Sequence, residues 1–236
     1  MLKRIKNPPN FWKKFPSFKQ LDGLALYGET IPDEGNDPPL NIESLDTTAH
    51  QRILLIATSR LRAVEMACRM TCKEVKILII DNSVYAYFAW QSYKLFMMPE
   101  HCVEEDRNRL KSNSFLNGLI EQYGFKRVYN LIKHAKFISQ DWGNEETFST
   151  LIDHYAPHYD KIYVYPSNIV AFLSDNGQPD KARQVLRNID KLNPDVAFHT
   201  NMPNPTTWII VKKNEHIPEH LMQLLGCSNE LVVYTR

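Results

Sequence analysis

The chain has 236 residues, of which 43% are hydrophobic and 23% charged, with a formal net charge of +1. That composition suits a globular body able to bury a substantial core, and it excludes collagen-like and strongly disordered chains. The near-neutral total gives no global attraction to nucleic acid, and no apolar run approaches the ~20 residues of a membrane-spanning helix, so no integral membrane segment is expected.

Residues 1 to 20 carry Lys3, Arg4, Lys6, Lys13, Lys14 and Lys19 without an acid, interleaved with Phe11, Trp12, Phe15 and Phe18. Two readings stay open for this arm. Basic residues mixed with aromatics suit contact with an anionic surface. Alternatively, the prolines at 8, 9 and 16 interrupt any long amphipathic helix and the aromatics pack on the body. No apolar central region follows the charges, as a cleavable secretory leader requires, and the expected location is cytoplasmic. Residues 28 to 50, rich in Pro, Gly, Asp and Asn, read as a surface loop leading into the first strand. The expected organisation is an N-terminal arm and loop over residues 1–50 and an α/β domain over 51–236.

The segment from Arg52 to Trp90 reads as strand, tight turn, helix, strand and helix. Ile53 to Ile56 form a short continuous apolar run, as in a parallel strand buried on both faces. Leu61, Val64, Ala67, Cys68 and Cys72 follow as a helical apolar stripe, and Val75 to Ile80 is the second buried strand. A crossover of this length makes a right-handed βαβ unit whose first turn opens at the carboxyl edge of the sheet.

Asp81 closes the second strand about 20 residues beyond that turn, the spacing at which a carboxylate accepts hydrogen bonds from ribose hydroxyls in nucleotide-binding units. Equally, Asp81 and Asn82 suit the cap of the helix beginning near Val84. The turn Ala57-Thr58-Ser59-Arg60-Leu61-Arg62 has no glycine. Thr58 and Ser59 offer hydroxyls, while Arg60 and Arg62 place positive charge at a helix N-terminus, an arrangement suited to a carboxylate or phosphate.

Tyr85 to Phe96 is expected to be an aromatic-rich helix, largely core. A helical region runs over 99 to 134, followed by a third strand at Ala135 to Gln140 that again leads to an acid and an aromatic, Asp141-Trp142. A helix over Glu145 to His154 and a fourth strand over Asp160 to Tyr165 come next. Pro166-Ser167-Asn168 then reads either as a strand exit with a helix cap or as a short polar motif. A helix over Lys181 to Leu192, strands at Val196 to Thr200 and Trp208 to Val211, a helix near 218 to 225 and a strand at Leu231 to Tyr234 complete the chain. The alternation implies an α/β fold.

Cys68, Cys72, Cys102 and Cys227 include one C-x-x-x-C pair on an apolar stripe, which reads as buried free thiols and not as a zinc site. His154, His158 and His199 are candidate bases, since an ordinary imidazole titrates near pH ~6.5. No Ser-His-Asp order, zinc motif or P-loop stands out.

With acids after the second and third strands, the order of elements resembles the class I methyltransferases that use S-adenosylmethionine, over about residues 50 to 236. The resemblance implies a Rossmann-like three-layer sandwich: a mostly parallel central sheet, helices on both faces and an antiparallel C-terminal edge strand. It implies that the first turn, Ala57 to Arg60, meets the methionine end of S-adenosyl-L-methionine. Asp81 with Asn82 then holds the ribose, Asp141 meets the adenine amino group with Trp142 as a stacking ring, and Tyr165 to Asn168 faces the transferred group. Tyr165-Pro166-Ser167-Asn168 is reminiscent of the motif that amino-methylating enzymes set beside the target nitrogen, which makes Tyr165 and Asn168 the catalytic candidates. The glycine-rich family motif is absent, and Asn201-Met202-Pro203-Asn204-Pro205 leaves no room for the usual helix between the fifth and sixth strands. The pattern is loosely similar to outlying bacterial methyltransferase-like proteins related to enzymes that transfer an aminocarboxypropyl group. Two expectations result: a transferase acting on a small-molecule, lipid or protein acceptor, or a non-catalytic interaction protein that keeps the shell and holds a partner through its basic arm.

Overall fold

The computed structural model describes residues 45, 47–59, 61–96, 114–200 and 208–213. The basic arm, most of the loop before the first strand, Arg60, residues 97–113, the connection 201–207 and the elements expected at 218–225 and 231–234 lie outside the described residues. So do Cys102, Cys227 and the side chains of Tyr85, Phe88 and Phe96.

Among the described residues, the centre is a six-stranded sheet built from β1 (Arg52–Ala57), β2 (Glu74–Ile80), β3 (Lys136–Ile138), β4 (Lys161–Ser167), β5 (Val196–Thr200) and β6 (Trp208–Lys212). Their spatial order is β3-β2-β1-β4-β5-β6. The pairs among β1 to β5 are parallel, and β6 runs antiparallel to β5 at the edge. Seven residues, 201–207, separate β5 from β6, enough to reverse the chain but too few for a parallel crossover. The fold is therefore the expected Rossmann-like sandwich.

Ile53 to Ala57 are all fully buried, because alternate side chains serve two separate cores. Ile53, Leu55 and Ala57 pack with α1 (Arg62–Arg69), α2 (Val84–Phe96), α3 (Ser114–Tyr123) and α4 (Phe125–His134), through residues such as Val64, Trp90, Leu116 and Ile132. Leu54 and Ile56 pack on the other face with α5 (Glu145–His154), α6 (Ile169–Asp175) and α7 (Pro179–Leu192), through Phe148, Val170 and Val185. A strand apolar on both sides is what a two-faced parallel sheet requires. Helix α5 begins at the expected residue because the Asn144 side chain accepts from the Thr147 N–H at 3.1 Å, with Glu145 and Glu146 in the first turn.

Several boundaries differ from the sequence reading. The stripe through Cys72 extends the first helix too far: α1 ends at Arg69, where Arg127 reaches across to donate to the carbonyls of Cys68 and Met70 at 2.8 and 3.1 Å. These are the unpaired carbonyls of a helix end, and a distant side chain satisfies them. Among the described residues, the helical region ending at 134 is divided into α3 and α4, broken at Gly124 with φ 83° and ψ 141°. Strand β4 runs on through Pro166 to Ser167, past a register irregularity against β5, before the short helix α6. Proline is tolerated in a strand at such a bulge.

The two glycines of this region are expected to respond with opposite sign. Gly118 lies inside α3 with room for a Cβ among the described residues, whereas the Gly124 backbone is in a region that side chains rarely adopt. Gly118→Ala is expected to stabilise the protein by about 0.5–1 kcal/mol and Gly124→Ala to destabilise it by about 1–3 kcal/mol, both read from urea unfolding.

Candidate functional site

In sheets of this order a ligand crevice forms at the carboxyl ends of the strands where successive crossovers leave in opposite directions, which here are β1 and β4. Its floor is the turn after β1. Thr58 donates its N–H to the Tyr165 carbonyl at 2.9 Å, tying the turn to β4, and Trp90 of α2 donates its indole N–H to the Ser59 carbonyl at 3.0 Å. Thr58 and Ser59 are each only 6% exposed.

From this floor a polar network runs across the ends of β2 and β3. The Ser59 hydroxyl donates to Asp81 Oδ2 at 2.5 Å, and the Ser83 N–H donates to Asp81 Oδ1 at 2.8 Å. Asp81 therefore anchors the first turn and also folds the entrance to α2, where Ser83 Oγ accepts from the Ala86 N–H at 3.3 Å. Asn82 Nδ2 then donates to Asp141 Oδ2 at 3.2 Å, which joins the two strand ends. Asp141 Oδ1 accepts the Gly143 N–H at 2.7 Å, and Lys181 from the first turn of α7 places its Nζ 2.6 Å from Asp141 Oδ2. A Cβ at Gly143 would stand 3.1 Å from Asp141 Oδ1 and 3.5 Å from Lys181 Cγ, so glycine lets these groups close together.

The structure thus brings Ala57, Thr58, Ser59, Asp81, Asn82 and Asp141 to one edge of the sheet; Arg60 lies outside the described residues. Trp142 has a different placement: it is 3% exposed, its indole N–H donates to the Ile80 carbonyl at 2.9 Å, and its ring packs near Phe148 in the core. The Trp142 carbonyl accepts from the fully buried Asn188 amide at 2.9 Å. Tyr165 is likewise fully buried, its ring 5.9 Å from that of Trp208. Asn168 is half-buried and begins α6, without a capping bond from its side chain. Between them Ser167 takes the left-handed conformation, φ 56°, unusual for a residue with a Cβ.

Arg62 does not present its charge to the crevice. Its side chain is 2% exposed and pairs with Glu65, which also accepts from Arg69 at 2.6 Å, while the Phe115 ring lies 5.1 Å from the guanidinium carbon. Burial requires such pairing. Cys68 and Cys72 are free thiols; burial pushes Cys68 up to about 11 and raises Cys72, which keeps both protonated and unreactive at neutral pH. Among the described residues no three His, Cys, Asp or Glu side chains come together as a metal site, and no helix is long and apolar enough to cross a membrane.

Lys181, Gly143 and Trp90 were not legible as site residues. Lys181 lies 40 positions beyond Asp141 and carries no local motif. No protein-family model matches the chain, and no curated protein matches it.

His199 stands in register with Ser167 on β4 and Ile209 on β6, fully buried, and among the described residues neither ring nitrogen has a hydrogen-bond partner. Burial alone pushes its pKa from 6.5 down to about 4. The unfolded chain thus takes up a proton near its ordinary value, and the folded chain does so only at the lower one. The stability linked to neutral His199 is complete above the unfolded value and is lost as pH falls through this window. Urea unfolding at about pH 7 and about pH 4 should show wild type losing roughly 3 kcal/mol more than His199→Leu. Equal losses in the two proteins would show that this imidazole does not control acid stability.

Proposed function

We propose that the protein is an S-adenosylmethionine-dependent transferase, moving a methyl or aminocarboxypropyl group to a small-molecule, lipid or protein acceptor. The observation that supports this best is the Ser59–Asp81–Asn82–Asp141 network, which joins the carboxylates beyond β2 and β3 through Asn82, the residue next to Asp81. A nucleoside offers a ribose diol and a base amino group as donors, and ionised carboxylates accept them. Asp81 takes the diol in this reading and Asp141 the amino group. Thr58 and Ser59, with Arg60 beside them in the sequence, receive the amino-acid end. Asn168 is the polar side chain of the 165–168 stretch that retains some exposure, and it orients the acceptor. The cofactor itself supplies an electrophilic carbon on a sulfonium, while the protein supplies position and polarity.

A second reading has its own supporting observation. Ser59 and Ser83 occupy the Asp81 carboxylate, Lys181, Asn82 and Gly143 occupy that of Asp141, and the glycine-free turn is closed by buried Thr58 and Ser59. A non-catalytic shell that binds a partner through residues 1–20 accounts for a crevice satisfied by its own groups.

Calorimetric titration with S-adenosylmethionine and S-adenosylhomocysteine distinguishes the two. The transferase reading expects saturable 1:1 binding, weakened by about 1–3 kcal/mol in Asp81→Ala, roughly 5- to 150-fold in Kd, with the melting curve of each protein as the control for folding. Absence of binding by the folded wild type selects the non-catalytic reading.

A further inference from the structure

The base end of the crevice already holds a cation. Lys181 Nζ is 2.6 Å from Asp141 Oδ2, the same oxygen that accepts from Asn82, and the Lys181 and Asp141 side chains are 36% and 30% exposed. The third donor, the Gly143 N–H, belongs to the turn that shapes the loop, and Asn82 is fixed at the end of β2. Lys181 differs from both. It arrives from α7, on a stem of four methylenes that passes close to Gly143, and it can withdraw toward water without any change in the backbone.

Resting on the nucleoside reading above, we propose that Lys181 is a built-in competitor for the amino donor of the ligand, so that a nucleoside binds Asp141 only when the lysine swings away. The ammonium stands where an amino group would donate, and its charge makes it the stronger occupant in dilute salt. Affinity at this end of the crevice is consequently set by a side chain that the ligand displaces. The competition costs the ligand the free energy of one partly exposed ion pair, which corresponds to a factor of about two to five in apparent Kd. It also couples affinity to ionic strength, since salt screens the pair and an uncharged nucleoside has no ion pair of its own to lose.

Adenosine is the probe, because it carries the amino group and the ribose diol without a net charge. Calorimetry with the full chain at about 0.05 M and about 0.5 M salt compares wild type, Lys181→Met and Lys181→Arg, with S-adenosylhomocysteine titrated in parallel. The expected result is a two- to fivefold lower Kd in Lys181→Met than in wild type at low salt, wild-type affinity that rises with salt, and little salt dependence in Lys181→Met. Lys181→Arg, which retains a cation able to reach Asp141, stays close to wild type. If wild type binds but Lys181→Met binds equally or more weakly, Lys181 is a bystander or a ligand contact and the competitor role is overturned while the transferase reading stands. If folded wild type and Lys181→Met bind neither adenosine nor S-adenosylhomocysteine, both fall together.

Discussion

Strand β1 has no solvent-facing side once past Arg52, and this double burial constrains everything around it. Each side chain from Ile53 to Ala57 must be covered, so helices pack on both faces, and the neighbouring strands β2 and β4 run parallel to it, as crossovers through those helices require. Fully burying a large aliphatic side chain is worth about 1.5–3 kcal/mol, and four such residues in a row make the arrangement hard to exchange for another. Polar groups have no place along such a strand. They collect at its ends, and the carboxyl end, where the chain leaves toward α1, becomes the polar edge of the molecule.

At that edge the design differs from a backbone cradle. A glycine-rich turn leaves space and N–H groups for a ligand, whereas here the turn carries side chains and its own bonds hold it shut. Trp90 takes the Ser59 carbonyl, Tyr165 takes the Thr58 N–H, and Asp81 takes the Ser59 hydroxyl. Among the described non-glycine residues positive φ occurs only at Ser167 and Asn193, so the described part of the turn needs no unusual backbone. The strain lies instead at the exit of β4, beside the buried His199.

The two functional readings share this geometry and differ in whether the internal bonds are exchanged for ligand bonds. A hydroxyl on a carboxylate and an ammonium on a carboxylate are partners that water or a ligand replaces at modest free-energy difference, because each exchange conserves the number of hydrogen bonds. The buried indoles of Trp90 and Trp142 are different. Both are nearly inaccessible and each N–H satisfies a backbone carbonyl, so they hold the frame and take no part in exchange.

The sequence by itself determined the layers of the fold. Apolar runs such as Ile53–Ile56 and Ile77–Ile80, separated by helical periodicity, indicate a parallel sheet covered on both faces, and the helix over Glu145–His154 starts where local bonds from Asn144 set it. It also placed Asp81 and Asp141 at strand ends, since each follows an apolar run directly or within a few residues. Only the tertiary structure decided what those acids touch. Trp142 and Tyr165 read as site residues from their neighbours in sequence, yet their rings turn into the two cores, because side-chain direction depends on register and on the volume left by facing helices. Lys181 reached Asp141 for the same reason in reverse. No local propensity links positions 40 residues apart, and their meeting follows from the packing of α7 beside the loop after β3.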